Sequence, residues 1–291
     1  LAKAYPTPSP QAPVFESTQP QQALPTNTVS TTALPVDPTT TLDPTLPPPE
    51  ESPIPTSIPN RNPTITLPNR IPYGEIQILS PGPLSKLASP IQLHVYLSPG
   101  EDDQVWVALF GEDGRLLLRD TVKLITAGEY QTHLKEEFTF EIEGEAETAR
   151  LQISIYDEFG RISALTSQDL VLLSTGDSDV NLPQDLYEGI VIQQPAPGRL
   201  IQGGNLVVAG ITRYAPQGRL HVDVVDTAGR VIISQVIGVS DQALGEGYWP
   251  YAGEIPYQVS TPTWVRVMVS ARDGRMSGVI HISSVTVLLS P

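Results

Sequence analysis

Acidic and amide side chains gather in one short stretch of this 291-residue chain. Asp177, Asp179, Asn181, Asp185 and Glu188 fall at positions 1, 3, 5, 9 and 12 of a run with the spacing from which a calcium loop draws its oxygen ligands. The sixth position departs from that pattern. A sharp turn there needs glycine, and the chain has Leu182, which the following Pro183 biases toward extended backbone. The run is therefore not an EF-hand. Two readings stay open: a looser calcium site that stiffens a junction, or a solvated acidic linker with Asx turns.

Other residues with chemical potential are scattered. His94, His133, His221 and His281 occur singly, so each is expected as a strand or surface residue rather than a metal ligand. Neighbouring carboxylates such as Asp102-Asp103 and Glu136-Glu137 read as solvated charges, because a glycosidase pair has to face across a cleft. Nucleophile elbow, phosphate loop, dinucleotide fingerprint and His-Glu-x-x-His are all missing from the sequence. The chain has no cysteine, which excludes disulfides, thiolate zinc sites and cysteine nucleophiles. No catalytic residue is expected, and no cofactor beyond the calcium candidate.

The elements that would position these residues are repeated. Ile76-Gln77-Ile78-Leu79-Ser80-Pro81-Gly82-Pro83 returns as Ile190-Val191-Ile192-Gln193-Gln194-Pro195-Ala196-Pro197, and Val171-Leu172-Leu173-Ser174 returns as Val287-Leu288-Leu289-Ser290. A self-match at a domain-sized offset means two copies of one domain. Within each copy, short alternating runs such as Val105–Phe110 and Leu220–Val224 are separated by Gly-Arg turns. About seven strands in about 100 residues, with no helix-period segment, predict an all-β chain of two tandem immunoglobulin-like β-sandwiches. The expected boundaries are 1–73 for an extended arm, 74–175 and 189–291 for the sandwiches, and 176–188 for the acidic linker.

The arm is a different material. Of the 30 prolines, 18 lie in residues 1–72, among many Thr, Ser and Gln. Such a segment cannot bury enough apolar surface to fold alone and should stay near polyproline II. Apolar residues nonetheless dot it, among them Phe15, Ile65 and Leu67, the last two in the strand-like run Thr64-Ile65-Thr66-Leu67. A flexible stalk is one reading. A docking arm that binds a neighbouring subunit by β-addition is the other.

The repeat also serves as an internal alignment. In the second copy Leu220, Val222 and Val224 alternate with the polar His221 and Asp223, so the polar side faces out. The first copy then points Val105, Val107 and Leu109 inward and Trp106, Ala108 and Phe110 outward. Tyr156, beside the inward Leu151, Ile153 and Ile155, joins the outer side. Trp106, Phe110 and Tyr156 are predicted as an aromatic partner surface. Tyr248, Trp249 and Tyr251 form a second cluster, which either stacks on sugars or closes one end of the sandwich.

The I-x-I-x-x-P-x-P opening, the Gly-Arg turns, Gly247-Tyr248-Trp249-Pro250-Tyr251 before Ile255-Pro256-Tyr257, and Ser270-Ala271-Arg272-Asp273-Gly274 resemble the bacterial immunoglobulin-like domain of the spore-germination-associated type. The resemblance is clearer in the second copy than in the first, which lacks the aromatic stretch. It implies non-catalytic, extracytoplasmic and often lipid-anchored modules. Formal net charge is −15, which disfavours nucleic acid and anionic membranes as partners. No apolar run approaches the roughly 20 residues that span a bilayer. A start at Leu1 rather than Met is read as a mature or truncated form whose signal peptide has been removed. The expected role is a structural or interaction protein in a surface assembly such as a filament, sheath or envelope complex. Its partners would be other copies or envelope proteins. The alternative is a surface module for polysaccharide or peptidoglycan on a flexible stalk.

Overall fold

The computed structural model describes residues 63–98, 100, 103–124, 132–214, 218–274, 276 and 278–291. Alternation of apolar and polar residues produces sixteen strands among them, eight per repeat. The first repeat holds β1 (Ile76–Ser80), β2 (Lys86–Ala88), β3 (Ile91–Leu97), β4 (Gln104–Gly111), β5 (Leu116–Lys123), β6 (Thr132–Phe138), β7 (Ala146–Tyr156) and β8 (Ile162–Leu173). The second holds β9 (Ile190–Gln194), β10 (Leu200–Ile201), β11 (Asn205–Thr212), β12 (Arg219–Asp226), β13 (Val231–Gly238), β14 (Trp249–Pro256), β15 (Thr263–Arg272) and β16 (Val279–Leu289). In each repeat a three-stranded antiparallel sheet (β1-β3-β6 and β9-β11-β14) faces a four-stranded one (β5-β4-β7-β8 and β13-β12-β15-β16). This is the expected all-β, immunoglobulin-like sandwich.

Each sandwich has its own apolar core. The first is built from residues such as Ile76, Leu93, Val95, Val107, Leu109, Ile153 and Leu172. The second uses Ile190, Leu206, Val222, Val224, Val267 and Leu289. In β4 the period of two is clean, with Val105, Val107 and Leu109 buried and Trp106, Ala108 and Phe110 half-buried on the other side. Burying one such aliphatic side chain contributes about 1.5–3 kcal/mol, so a strand with three of them is held firmly to its face.

Two of the hairpin turns share one device. In Asp157–Arg161, the Asp157 Oδ1 accepts the N–H groups of Phe159 (3.0 Å) and Arg161 (2.9 Å) while Oδ2 accepts Arg161 Nε at 2.7 Å. Asp226–Arg230 repeats this, with Ala228 N–H, Arg230 N–H and Arg230 Nε each at 2.9 Å. The fourth residue of each turn, Gly160 or Gly229, has φ of 70° or 76°, which a side chain with Cβ tolerates poorly.

The two sandwiches are fused. Strands β8 and β16 pair antiparallel at Thr166–His281 and Leu165–Ile282, so the two four-stranded sheets run on as one. Elsewhere on the same edges, β2 pairs with residues 171–173 of β8 and β10 with residues 288–289 of β16, both parallel. Leu173 and Leu289 are equivalent in the repeat, an offset of 116, which makes Leu165 equivalent to His281 and Thr166 to Ile282. The contact is therefore self-complementary, each repeat offering the same two positions. Pairing removes the open hydrogen-bonding edge that each sandwich would otherwise carry.

The linker is tied down along its length. Asp179 bridges to Lys86, and Asn181 Nδ2 donates to Pro83 O at 2.8 Å. A Cβ on Gly82 would sit 2.0 Å from Leu182 O, so only glycine lets the linker pass that closely.

Candidate interaction surfaces

On the outer side of the first sandwich, Trp106 and Tyr156 meet as the repeat alignment predicts. Their ring centroids are 5.7 Å apart at a 59° tilt, an edge-on aromatic pair. Trp106 stands opposite Ser154 on β7, which places Tyr156 two residues further along the same side. Phe110 shares the side but lies four residues from Trp106, about 13 Å along the strand, opposite Arg150. The outer aromatics are thus a touching pair and one separate ring, all half-buried.

The second aromatic cluster is core. Tyr248 is 2% and Tyr251 1% exposed. The Tyr248 hydroxyl donates to Glu188 O at 2.7 Å and the Tyr251 hydroxyl to Val191 O at 3.3 Å. Trp249, half-buried, packs against the second core. An exposed sugar-stacking platform, one of the two readings of this cluster, does not fit this burial: β14 turns Tyr251 inward, and the tyrosine hydroxyls tie β14 and its preceding loop to the linker and β9. Tyr248 packs with Ile71 and Ile211, and Tyr251 and Trp249 pack into the second core.

The end of the arm is also placed differently. Ile65 and Leu67 pack with Ile71, Val191, Ile211 and Tyr248 on the outer side of the β9-β11-β14 sheet of their own chain. Gln193 Nε2 donates to Thr66 O at 2.7 Å, and the Pro72 carbonyl accepts Glu188 N–H at 2.8 Å. Tyr73 stacks on Tyr187 with centroids 4.9 Å apart. The expected docking of Ile65 and Leu67 on a neighbour is corrected to docking in cis, because Ala209 and Ile211 point out of that sheet and burying them here needs no second chain. Phe15, the third arm residue singled out, lies outside the described residues.

The five calcium candidates are dispersed among other partners. Glu188 Oε1 is hydrogen-bonded to His281 Nε2 and accepts Ile190 N–H at 3.2 Å. Asp185 accepts Arg213 Nη2 at 3.0 Å and, in an Asx turn, Tyr187 N–H at 3.0 Å. Asn181 is held by Pro83 and Ser85, and Asp177 and Asp179 are exposed. Among the described residues no group of three or more His, Cys, Asp or Glu is arranged to hold a metal ion.

Charge meets instead at the seam between the sandwiches, where single-residue reading had nothing to follow. Asp157, fully buried, accepts both Arg161 Nε and Arg266 Nε at 2.7 Å. Arg266 Nη1 donates to Ser284 Oγ at 2.9 Å, and Ser284 Oγ to Ser163 O at 2.6 Å. Arg161 Nη1 crosses to Val225 O at 3.3 Å. Burial pushes the Asp157 carboxyl up, but its bonds to Arg161 and Arg266 outweigh that and hold it below the usual range. Glu188 is also pushed up by burial and drawn down past its ordinary value by His281. The Glu75 carboxyl is raised, by desolvation first and by the Glu188 charge second. On the other side of the seam, Arg150 binds Asp169 and Asp273, both at 2.8 Å, beside a cleft of about 580 Å³.

Two histidines read as isolated are neighbours. His94 on β3 and His133 on β6 lie with Nε2 and Nδ1 3.1 Å apart, on an outer face shared with Tyr96 and Lys135. Their separation in sequence hid them, since only the β3–β6 register brings them together.

No protein-family model matches the chain, and no curated protein matches it. Among solved structures, red sea bream transglutaminase is similar at 11% identity and a TM-score of 0.28, over 76% of this chain and 32% of that one. Dimeric latent PorU from Porphyromonas gingivalis is similar at 10% identity and a TM-score of 0.23, over 75% and 24%. Extracellular domains 3–5 of Drosophila OTK are similar at 9% identity and a TM-score of 0.20, over 76% and 67%. The chain spans about a third and a quarter of the length of the first two. At such TM-scores these likenesses carry nothing about what the chain does.

Proposed function

We propose that this chain is a non-catalytic structural or interaction protein that works outside the cytoplasm as a subunit of a surface assembly. The observation that carries the reading is the seam. Two sandwiches joined by a shared sheet, a buried Asp157–Arg266 pair and a pinned linker form one stiff plate rather than two modules on a hinge. A stiff plate with edges and outer faces suits a part that transmits position between neighbours. In composition, the proline-rich stretch before Pro63 suits a spacer. The half-buried Trp106–Tyr156 pair is the proposed contact for a partner, aromatic pairs being frequent anchors in interfaces.

Self-association of the full chain, followed by sedimentation velocity and electron microscopy, tests this. Trp106→Ala should weaken association about tenfold or more while leaving the melting temperature nearly unchanged. Association that is untouched by Trp106→Ala removes the aromatic pair from the contact. A chain that stays monomeric and binds purified peptidoglycan or surface polysaccharide instead would sink the assembly reading in favour of a glycan-binding module.

A further inference from the structure

We infer that His94 and His133 form a two-histidine site for a divalent transition-metal ion of the copper, nickel and zinc class, on the outer side of the β1-β3-β6 sheet. The site is independent of the assembly reading above. It lies on a face that the second sandwich does not share.

The register of β3 and β6 sets His94 opposite Lys135 and Tyr96 opposite His133, so the two imidazoles stand diagonally on one side of the sheet. His94 Nε2 and His133 Nδ1 lie 3.1 Å apart, with ring centroids 5.3 Å apart and planes tilted by 32°. Zinc–imidazole bonds are about 2.0–2.1 Å long. Two such bonds at a tetrahedral angle hold their nitrogens about 3.3 Å apart, and at the right angle of a tetragonal site about 2.9 Å. The observed separation falls between these values. Without an ion, one ring donates its N–H to the other. With an ion, both nitrogens present lone pairs. The proton of the donor ring then moves through solvent to that ring's other nitrogen, so each imidazole stays neutral. Aiming both lone pairs at one ion needs a turn of the rings about χ2, a broad torsion in histidine. His133 is exposed and His94 half-buried, which leaves room for that turn.

The surroundings favour a hydrated cation. A cleft of about 570 Å³ lined by Ser80, Gln92, His94, Lys135, Glu136 and Glu137 opens beside the pair, with space for the waters that fill the remaining coordination positions. Glu136 and Glu137 outnumber Lys135 in that lining, so the local field attracts positive charge. The Tyr96 ring lies against His133, with centroids 4.5 Å apart, and supports the imidazole from one side. The other two histidines are placed differently. His281 is engaged through Nε2 by Glu188 and lies with Nδ1 3.3 Å from Thr166 Oγ1. His221 stands between Val236 and Ser270 on the neighbouring strands. The second sandwich has no counterpart, since its equivalent side carries Val191 and Ile211 beneath Ile65 and Leu67. Imidazole and water as donors select Cu²⁺, Ni²⁺ and Zn²⁺, with copper the tightest, and give no advantage to the hard ions Mg²⁺ and Ca²⁺.

Calorimetric titration of the full chain with Cu²⁺, Ni²⁺, Zn²⁺ and Mg²⁺ in a non-chelating buffer tests the site. One histidine-dependent site per chain is expected for the first three ions, tightest for copper, and none for magnesium. His94→Ala and His133→Ala each leave a single donor and should weaken binding about a hundredfold, which is the advantage of a second donor already in place. The double variant should be no worse than about either single one, and His221→Ala should bind as the wild type does. Electron paramagnetic resonance of the bound Cu²⁺ should show coupling to two nitrogens in the wild type and to at most one in each single variant. Circular dichroism melts check that the variants keep the fold. Absence of binding, or binding that persists unchanged in both single variants, as an adventitious ion on surface carboxylates would, overturns the inference. So does an equal loss in His221→Ala, or a copper spectrum without two nitrogens. Trp106 lies on the other sheet of the sandwich, so the association test and this one fail separately.

Discussion

The two sandwiches share every strand and differ in what covers them. On the first, the outer side of the β1-β3-β6 sheet carries Gln92, His94, Tyr96, His133 and Lys135 and faces solvent. On the second, the equivalent side carries Val191, Ala209 and Ile211 and lies beneath Ile65, Leu67 and Ile71. The burial pattern records the difference. Strand β3 alternates to its end, whereas β11 begins by alternating and finishes with five buried residues in succession. On this side the first copy is finished by its own polar residues. The other is completed by a segment from before the first. Duplication preserved the cores and left the outer faces and edges free to diverge.

The largest way to break this comparison is at the seam that both copies share. Asp157→Ala leaves Arg161 and Arg266 buried without their carboxylate, and should destabilise the chain by about 3–5 kcal/mol in urea unfolding. A loss under about 1 kcal/mol would mean that the charge contributes little to fusing the repeats.

Ile65→Ala with Leu67→Ala acts on one copy only. Removing two partly buried aliphatic side chains should cost about 2 kcal/mol in all. Amide exchange should speed up in β9 and β11 and stay unchanged in β1 and β3. Uniform loosening of both sandwiches would contradict docking confined to the second.

Acid sharpens the contrast between the seam and the cores. Asp157 and Glu188 are held below their unfolded values, so each binds fewer protons when folded. Their stabilisation is present above an unfolded carboxylate pKa of about 4 and is lost as pH falls through the lower folded values. Glu75 is raised and works in the opposite sense, adding stability as pH falls through its folded value. Thermal melts across this range should show the wild type losing more stability on acidification than Asp157→Asn, which lacks one of the two depressed groups. Parallel curves would detach Asp157 from the acid response.

The smallest effects are in the linker. Gly82→Ala must push Leu182 back from a 2.0 Å approach, and should lower stability by about 1–2 kcal/mol with both cores intact. Calcium at millimolar concentration should leave the melting temperature where it is, since Asp185 and Glu188 are engaged by Arg213 and His281. A rise with calcium concentration would restore the ion-binding reading of that run.

Much of the fold was legible because its cause is local. A period of two along Val105–Phe110 and Leu220–Val224 states which side is core. Gly-Arg turns state where strands reverse, and the self-match states that this happens twice. The placement of Trp106 beside Tyr156 followed from alternation plus the expected strand order. Tyr248 and Tyr251 were ambiguous for a physical reason. A tyrosine serves equally as a sugar platform or as a core residue with a hydrogen-bonded hydroxyl, and composition does not distinguish them. His94 and His133 were invisible as a pair, because cross-strand neighbours depend on a register set by the whole sheet.

Sequence by itself thus determined the strands, the turns, the two cores and the material difference of the proline-rich stretch, all of which depend on residues near one another in the chain. Tertiary structure alone decided that β8 meets β16, that Asp157 is shared by arginines from both repeats, and that Ile65 and Leu67 lie on the second sandwich. Those contacts join residues separated by more than 100 positions, and the free energy that selects them comes from sealing edges and burying apolar surface between segments that local patterning does not relate.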